Sequence, residues 1–377
     1  MISLVSDHPD TARRRALGVA IVGGGFMAEV HTRAARVAGS NVIGVLSSTR
    51  EHSEHAARHL GIGRSFESLD ELLSDPTVDV VHVTTPNVFH APQSLAALSA
   101  GKHVICEKPL ATTRDDAQSL VDAAVNAHRV GTVPFIYRFH PLVREARARF
   151  RSGAAGAVLT IQASYLQDWL LSSDDDNWRV DEAHGGPSRA FADIGSHLVD
   201  LVEFVTGDRV GRLTATLKTL YAERANRVAV TTEDAAAVVI ETVSGAIGTL
   251  LVSQVAPGRK NRLLLEIAGH HQTVAFDQEQ PETLWIGKRV GSELIPRDPA
   301  QLHADAARLC TVPAGHPQGY QDAFNAFVAD SYAAIDGENP DGLPRFEDGL
   351  RAVELTDAVL AAARSGAWKE TGESRER

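Results

Sequence analysis

The first third of the chain alternates short apolar runs with stretches whose apolar positions recur at helical spacing. Leu17 to Val22 is apolar and β-branched and ends in glycines. Asn41 to Leu46, Val78 to Thr84, His103 to Cys106 and Gly131 to Ile136 repeat the pattern and predict four further strands. Between them Ala28 to Val37, Glu51 to Leu60, Leu69 to Leu73, Pro92 to Ala100 and Thr113 to His128 carry the helical period. Gly101 stands where a helix C-cap belongs, and Thr113 with Asp116 forms an N-terminal cap pattern. Buried strands alternating with helices predict an α/β fold with a doubly wound parallel sheet of the Rossmann type.

The period changes after Phe139. His140 to Phe150 is helical, and long alternating runs follow: Val158 to Trp169, Arg212 to Tyr221, Ala235 to Thr242, Ala246 to Val255, Leu263 to Ala268 and Thr273 to Phe276. Ser244-Gly245 between two of them is a hairpin turn signal. This pattern predicts a second, α+β domain with a large, mostly antiparallel, open-faced sheet. A helix from Ser196 to Val205 and others near the C-terminus cover one of its faces. The expected division is a polar tail over residues 1–14, a dinucleotide-binding domain over 15–136 and a substrate-binding and oligomerisation domain over 137–370. Thr371 to Arg377 reads as a second tail.

Composition narrows the function classes. A chain of 377 residues is comfortable for two domains, and a formal charge of -11 argues against a nucleic-acid partner. Cys106 and Cys310 are too far apart in sequence to read as a disulfide framework or a cysteine zinc site, so a reduced, cytoplasmic setting is expected. The apolar run Ala16 to Val22 is too short for a membrane span, and no small-residue cleavage site follows it. The acidic run Asp174 to Asp176 lacks the ligand spacing of a calcium loop, and His270-His271 reads as a turn, so no metal is expected.

Gly23-Gly24-Gly25-Phe26-Met27-Ala28 fits G-x-G-x-x-A, after a buried strand and at the start of a helix. Glycine there lets backbone N–H groups approach a pyrophosphate, and the helix N-terminus stabilises its charge. Gly23, Gly25, Phe26 and Met27 are therefore candidate cofactor contacts. At the end of the second strand no Asp or Glu precedes Glu51; Ser47, Ser48 and Arg50 stand there instead. Of NAD and NADP this leans slightly to NADP, whose 2′-phosphate those residues can hold, with a solvent-facing Arg50 as the alternative.

Further stretches carry a family resemblance. They are Thr84-Thr85-Pro86-Asn87 with His90, the run Gly101 to Leu110 with Glu107-Lys108-Pro109 inside it, and Asp193-Ile194-Gly195-Ser196-His197. With the glycine loop, in this order, they resemble the Gfo/Idh/MocA oxidoreductases from about Leu17 to Gly366. Tyr165-Leu166-Gln167-Asp168-Trp169 and Asn177-Trp178-Arg179 look like the levoglucosan dehydrogenase branch of that family. The resemblance implies that Lys108 is the catalytic lysine, with a cis bond to Pro109. It also implies that Thr84, Thr85, Pro86, Asn87 and His90 contact the cofactor and that Glu107 bonds the nicotinamide ribose.

The residues themselves support this chemistry. Lys108 follows a parallel strand's C-terminal end, where ligands bind in open α/β sheets, and a partly desolvated lysine can exchange protons with a substrate oxygen. Asp193 and His197 are four residues apart. On one helix they share a face, so the carboxylate can orient the imidazole for general-base work; alternatively Asp193 touches substrate or Lys108 directly. Candidate substrate contacts are Tyr137, Arg138, Tyr165, Gln167, Trp169, Trp178, Arg179, His316 and Tyr320, because aromatic faces with polar tips suit a sugar. The expected function is an NAD(P)-dependent dehydrogenase or reductase of a sugar, anhydrosugar or cyclic polyol. The alternatives are an NAD-dependent glycosidase of the same fold and a non-catalytic dinucleotide sensor. Apolar residues on both alternations of Ala235 to Ile240 predict a homodimer or homotetramer through the second sheet.

Overall fold

The computed structural model describes residues 16–225 and 227–372, so the expected tail over 1–14 and residues 373–377 of the other lie outside the described residues. The N-terminal part runs β1 (Gly18–Val22), α1 (Phe26–Val37), β2 (Asn41–Leu46), α2 (Arg50–Leu60), α3 (Leu69–Ser74), β3 (Val80–Val83), α4 (His90–Ser99), β4 (His103–Cys106), α5 (Arg114–Ala127) and β5 (Gly131–Thr132). The strands pair in parallel in the order β2-β1-β3-β4-β5. Strand order reverses between β1 and β3, and a crevice opens beyond the C-terminal ends of the strands at such a switch point. Thr49, Ser68 and Thr113 cap α2, α3 and α5 through their side-chain oxygens. α1 starts at Gly25 with no side-chain cap, which leaves its positive end available to a ligand.

The fifth strand is shorter than expected. It ends at Thr132, two residues before Pro134, which has no N–H to give a ladder. The chain then enters a 3-10 turn over Ile136–Phe139, and this turn brings Tyr137 to the crevice.

The rest of the chain runs α6 (Pro141–Arg151), β6 (Val158–Leu166), α7 (Glu182–Gly185), a π-helical turn (Phe191–Gly195), α8 (Ser196–Thr206), β7 (Val210–Lys218), β8 (Glu223–Arg224), β9 (Arg227–Val228), β10 (Ala235–Thr242), β11 (Ile247–Ser253), β12 (Arg262–Gly269), β13 (Thr273–Asp277), β14 (Thr283–Lys288), β15 (Gly291–Pro296), α9 (Ala304–Ala307), α10 (Tyr320–Ile335), α11 (Phe346–Ser365) and β16 (Lys369–Glu370). Among the described residues nine strands form one sheet, in the order β15-β14-β13-β12-β6-β11-β10-β7-β16. Central β6 pairs in parallel with β11 and antiparallel with β12. Alternate residues Ala236, Val238 and Ile240 of β10 join the core with Leu198, Leu201 and Val202 of α8. On the other face Val239, Ile247 and Leu251 stay exposed.

β14 and β15 are additions to the expected sheet. β15 reads Gly-Ser-Glu-Leu-Ile-Pro, lies at the sheet edge and buries no residue, so it carries no apolar alternation to find. Thr371, expected in a tail, is buried, with its N–H on Gly211 O and its hydroxyl on Val210 O. α11 packs back on the first sheet: Phe346 and Val353 share a core with Val83 and Val104, and a Cβ on Gly131 would overlap the Phe346 ring.

Burial sets the acid stability of this fold. His140 and His197 are both pushed down to about 3, chiefly by desolvation, and His82 and His90 are lowered by the same cause. Such a histidine stays neutral when folded and takes up a proton near its usual pKa of about 6.5 when unfolded. Its contribution is therefore lost as pH falls below that value. Asp200, raised by burial to about 7 against the opposing Arg138 charge, acts in the opposite sense, because it gains its proton at a higher pH folded than unfolded. Each uncompensated histidine costs about 1.4 kcal/mol per pH unit. Urea midpoints measured from pH 7 to pH 4.5 are expected to fall steadily. A flat profile over that range would contradict this burial pattern.

Candidate active site

Beyond the C-terminal ends of β1, β3 and β4 lies a crevice of about 1080 Å³, and a second cavity of about 450 Å³ shares Lys108, Glu107, Asp193, Arg179, Gln167, Phe26 and Met27 with it. The first alone reaches the upper end of the range for small-molecule sites, about 300–1,000 Å³, which leaves room for a dinucleotide.

The glycine loop forms its floor. Gly23 has φ +122°, and a Cβ there would fall 2.3 Å from Thr84 Oγ1, so a side chain is excluded twice over. Above Gly25 a Cβ would meet open space, next to the uncapped start of α1. These features fit a pyrophosphate held by backbone N–H groups. Phe26 is 67% exposed at the mouth, and Met27 borders both cavities. Ser47 and Ser48 line the ribose end. Arg50 does not reach it: its guanidinium pairs with Glu54 and Glu67, each at 3.1 Å.

Thr84, Thr85, Pro86, Asn87 and His90 line the wall after β3. Their side chains knit that wall together. Thr85 donates to Gln93 Oε1 (2.7 Å), Asn87 Nδ2 donates to Gly185 O (2.8 Å), and the His90 ring lies between Thr85 O (2.8 Å) and Pro109 O (2.7 Å). The Lys108–Pro109 bond is cis, as expected. Glu107 borders both cavities; one oxygen accepts the Lys108 N–H (3.1 Å) and the other faces His31 (3.1 Å).

Lys108 Nζ donates to Asp193 twice, at 2.7 Å to its backbone oxygen and 2.6 Å to Oδ1. An ammonium has three N–H bonds, so one remains for a ligand. Asp193 Oδ2 accepts from Gln254 Nε2 at 2.9 Å, and Arg179 Nε lies 3.5 Å from Oδ1. Burial opposes the charge on Asp193, but Lys108 and then Arg179 outweigh it, so its carboxyl is held well below the usual carboxylate range. The expectation that Asp193 orients His197 is corrected in favour of the direct Lys108 contact. A full ammonium charge outcompetes a neutral imidazole for a carboxylate. His197 Nδ1 is buried with no hydrogen-bond partner, and the ring stands among Phe135, Tyr137 and Tyr165, at 5.7, 5.2 and 6.3 Å between centroids. Burial and then the Lys108 charge, against a smaller opposing effect of Asp193, keep this imidazole neutral.

The far wall is built from aromatic rings and amides. The hydroxyls of Tyr137 and Tyr165 are 2.6 Å apart, and Tyr165 donates to Asn261 Oδ1 (2.7 Å). Gln167 Nε2 donates to the same oxygen (2.8 Å), and Trp169 Nε1 donates to Gln167 Oε1 (2.7 Å). β6 ends at Leu166, yet Gln167 N still bonds Ser253 O, which keeps these side chains along one wall. Trp178 and Arg179 close another side, the guanidinium stacked 4.4 Å over the indole. Tyr320, at the start of α10, borders the second cavity.

Two expected substrate contacts lie elsewhere. Arg138 follows Tyr137 in a turn with about three residues per revolution, so neighbouring side chains diverge. It is buried in a separate cavity, donating to Asp200 (2.9 Å) and Asp348 (2.7 Å). His316 is exposed on a turn whose carbonyl caps Arg297, and it does not line the crevice. Gln254 and Asn261, which the sequence reading passed over, hold Asp193 and the tyrosine pair; their only signal is their position in the loop after β11, beside the end of β6. Among the described residues no three His, Cys, Asp or Glu gather as metal ligands, and no helix is long and apolar enough to cross a membrane.

Comparison with known proteins agrees with this geometry. Residues 17–135 match the oxidoreductase family with an NAD-binding Rossmann fold, and residues 143–275 match the GFO/IDH/MocA C-terminal domain. Levoglucosan dehydrogenase of Pseudarthrobacter phenanthrenivorans is 29% identical over 93% of this chain and 97% of its own. An oxidoreductase domain protein from Kribbella flavida superposes with a TM-score of 0.88 at 33% identity, covering 95% of this chain and 100% of that one. A levoglucosan dehydrogenase in complex with NADH and levoglucosan superposes with a TM-score of 0.89 at 29% identity, with the same coverage. The glycine loop, the Glu-Lys-Pro element and the second sheet thus have a common origin: the chain belongs to the Gfo/Idh/MocA family of oxidoreductases.

Proposed function

We propose that the chain is an NAD-dependent dehydrogenase that oxidises a hydroxyl-bearing carbon of a sugar, anhydrosugar or cyclic polyol, or reduces the corresponding carbonyl. The observation that carries this reading is the seat of Lys108. It stands where the dinucleotide crevice meets the aromatic and amide wall, with one N–H not taken by Asp193. The wall offers rings to C–H faces and amide and phenol groups to hydroxyl edges. A nicotinamide held here would supply the hydride acceptor for the substrate carbon, with Glu107 as the proposed partner of its ribose. Lys108 donates its third N–H to the reacting oxygen and stabilises the charge that develops there. His197 borders the same cavity and is the proposed way station for the hydroxyl proton in either direction; burial and the Lys108 charge disfavour its imidazolium, so it passes that proton on rather than storing it. Asp193 holds Lys108 in place through its two hydrogen bonds.

The test is the appearance of reduced nicotinamide over a panel of sugars, anhydrosugars and inositols. Turnover on at least one compound is expected. Tight cofactor binding with no net turnover on any would favour the glycosidase or sensor instead.

The cofactor preference follows from charge. Arg50 is answered by both Glu54 and Glu67, which leaves that edge net negative and unfavourable to a 2′-phosphate. This supports NAD over the slight lean to NADP drawn from Ser47, Ser48 and Arg50. We expect kcat/KM with NAD⁺ to exceed that with NADP⁺ by about tenfold or more; equal values would overturn the preference.

In this reading residues 15–136 hold the cofactor and 137–370 supply the substrate wall. The exposed Val239, Ile247 and Leu251 support a homodimer or homotetramer through the open sheet face, and a monomeric mass at micromolar concentration would exclude it. The unpaired Cys106 and Cys310 are compatible with a cytoplasmic setting.

A further inference from the structure

Behind Glu107 a line of buried polar side chains leads away from the crevice, and the chemistry above does not use it. His31 of α1, His82 of β3 and Tyr332 of α10 are 0%, 0% and 6% exposed. His31 Nε2 is 3.1 Å from Glu107 Oε1, His31 Nδ1 is 2.9 Å from His82 Nδ1, and His82 Nε2 is 3.0 Å from Tyr332 Oη. Each of these links needs one proton, and no two can be assigned independently.

The carboxylate end decides the order. Burial opposes the charge of Glu107, but the His31 hydrogen bond and the Lys108 charge outweigh it and keep the carboxyl below its ordinary range. An ionised carboxylate only accepts, so His31 Nε2 donates. If His31 carries a single ring proton, it sits there and leaves Nδ1 as an acceptor, so His82 must carry its own proton on Nδ1. That leaves His82 Nε2 to accept from the Tyr332 hydroxyl. His82 is held neutral chiefly by its complete burial. All donors then point one way, from Tyr332 through His82 and His31 to Glu107, and bonds aligned in this sense polarise one another.

The relay ends on groups that face the reaction. Glu107 Oε2 accepts the Lys108 backbone N–H at 3.1 Å, and Lys108 carries the ammonium. Its far end sits on α10, the helix that also brings Tyr320 to the second cavity and packs Phe324 edge-on against His31 at 4.7 Å between centroids.

We propose that His31, His82 and Tyr332 are positioning residues: a one-directional hydrogen-bond relay that holds the Glu107 carboxylate toward the cofactor and, through the Lys108 N–H, keeps Lys108 aimed at the reacting oxygen. The kinetic part of this proposal rests on the dehydrogenase reading; the proton order does not.

The test has two arms on the full-length protein. The first is two-bond ¹H–¹⁵N spectra of histidine-labelled protein at pH 7, assigned with His31→Gln and His82→Gln. The relay requires His31 as the neutral Nε2–H tautomer and His82 as the neutral Nδ1–H tautomer. A doubly protonated His31, or His82 protonated at Nε2, overturns it. The second arm compares His31→Phe, which keeps a ring but no donor, with His31→Gln, whose amide can still reach Glu107. Loss of aim lowers kcat by about tenfold in His31→Phe, with the sugar KM changed less than about threefold, and His31→Gln recovers most of the loss. Wild-type kcat in a folded His31→Phe, or equal damage in both variants, overturns the positioning role. If His31→Phe does not fold, the tautomers of the native protein still decide. An inactive protein with the stated tautomers would refute the dehydrogenase reading and keep the relay, whereas turnover with other tautomers would refute the relay alone.

Discussion

Replacing Lys108 with methionine is expected to lower kcat by about a thousandfold while leaving the dissociation constant for NAD⁺ within about threefold. Methionine keeps the length and removes the charge. The ammonium has two bonds to Asp193 and one N–H left for the reacting oxygen, so its loss removes an interaction that strengthens as the oxygen gains negative charge. It also leaves the Asp193 carboxylate with only Gln254 and the more distant Arg179. On the proposed reading the glycine loop and the wall after β3 supply most of the cofactor contacts, with Lys108 a minor one. Steady-state rates and titration of NADH fluorescence separate the two effects. A kcat within about tenfold of wild type would remove Lys108 from the chemistry.

The second large effect falls on stability. Arg138→Met is expected to cost about 3–5 kcal/mol of unfolding free energy, because it strips a cation from a buried pair and leaves the carboxylates behind. Arg138 donates to Asp200 and Asp348 and lies 4.9 Å over the Phe204 ring, linking α8 and α11. Asp200 is already raised to about 7, by burial first and with a smaller push from the Asp348 charge, even though Arg138 opposes the rise. Without Arg138 it takes a proton, which caps the loss toward the lower end of the range. Urea unfolding measures the loss. The sugar KM of the folded variant should stay within about twofold of wild type. Unchanged stability with a raised KM would return Arg138 to the substrate site.

The features that could be read in the sequence were local ones. The glycine loop, the alternation of buried strands with helices, Glu107-Lys108-Pro109 and the Tyr165-Gln167-Trp169 spacing are each confined to a few consecutive positions. The features that could not be read depend on distant partners. The contact of Lys108 with Asp193, 85 residues away, stood open only as one of two alternatives, and His82 meets Tyr332 250 residues away with nothing in either neighbourhood to announce the pairing. Arg138 was misplaced because adjacent residues of a 3-10 turn face different cavities. His316 was misplaced because a histidine in a Gly-Pro turn reads alike whether it faces solvent or a ligand. β15 escaped because a sheet edge buries few side chains and shows little apolar rhythm, whereas β14 buries Leu284 and Ile286 in alternation, a signal that was there to be read.

The central claim is direct transfer of hydride from a sugar carbon within the crevice at Lys108. It is tested most directly by mass measurement of the reduced cofactor, formed from an active sugar deuterated at its carbons. One deuterium appearing in each molecule of reduced nicotinamide is the predicted result. Reduced cofactor without deuterium, or product formed with no net cofactor reduction, would contradict it.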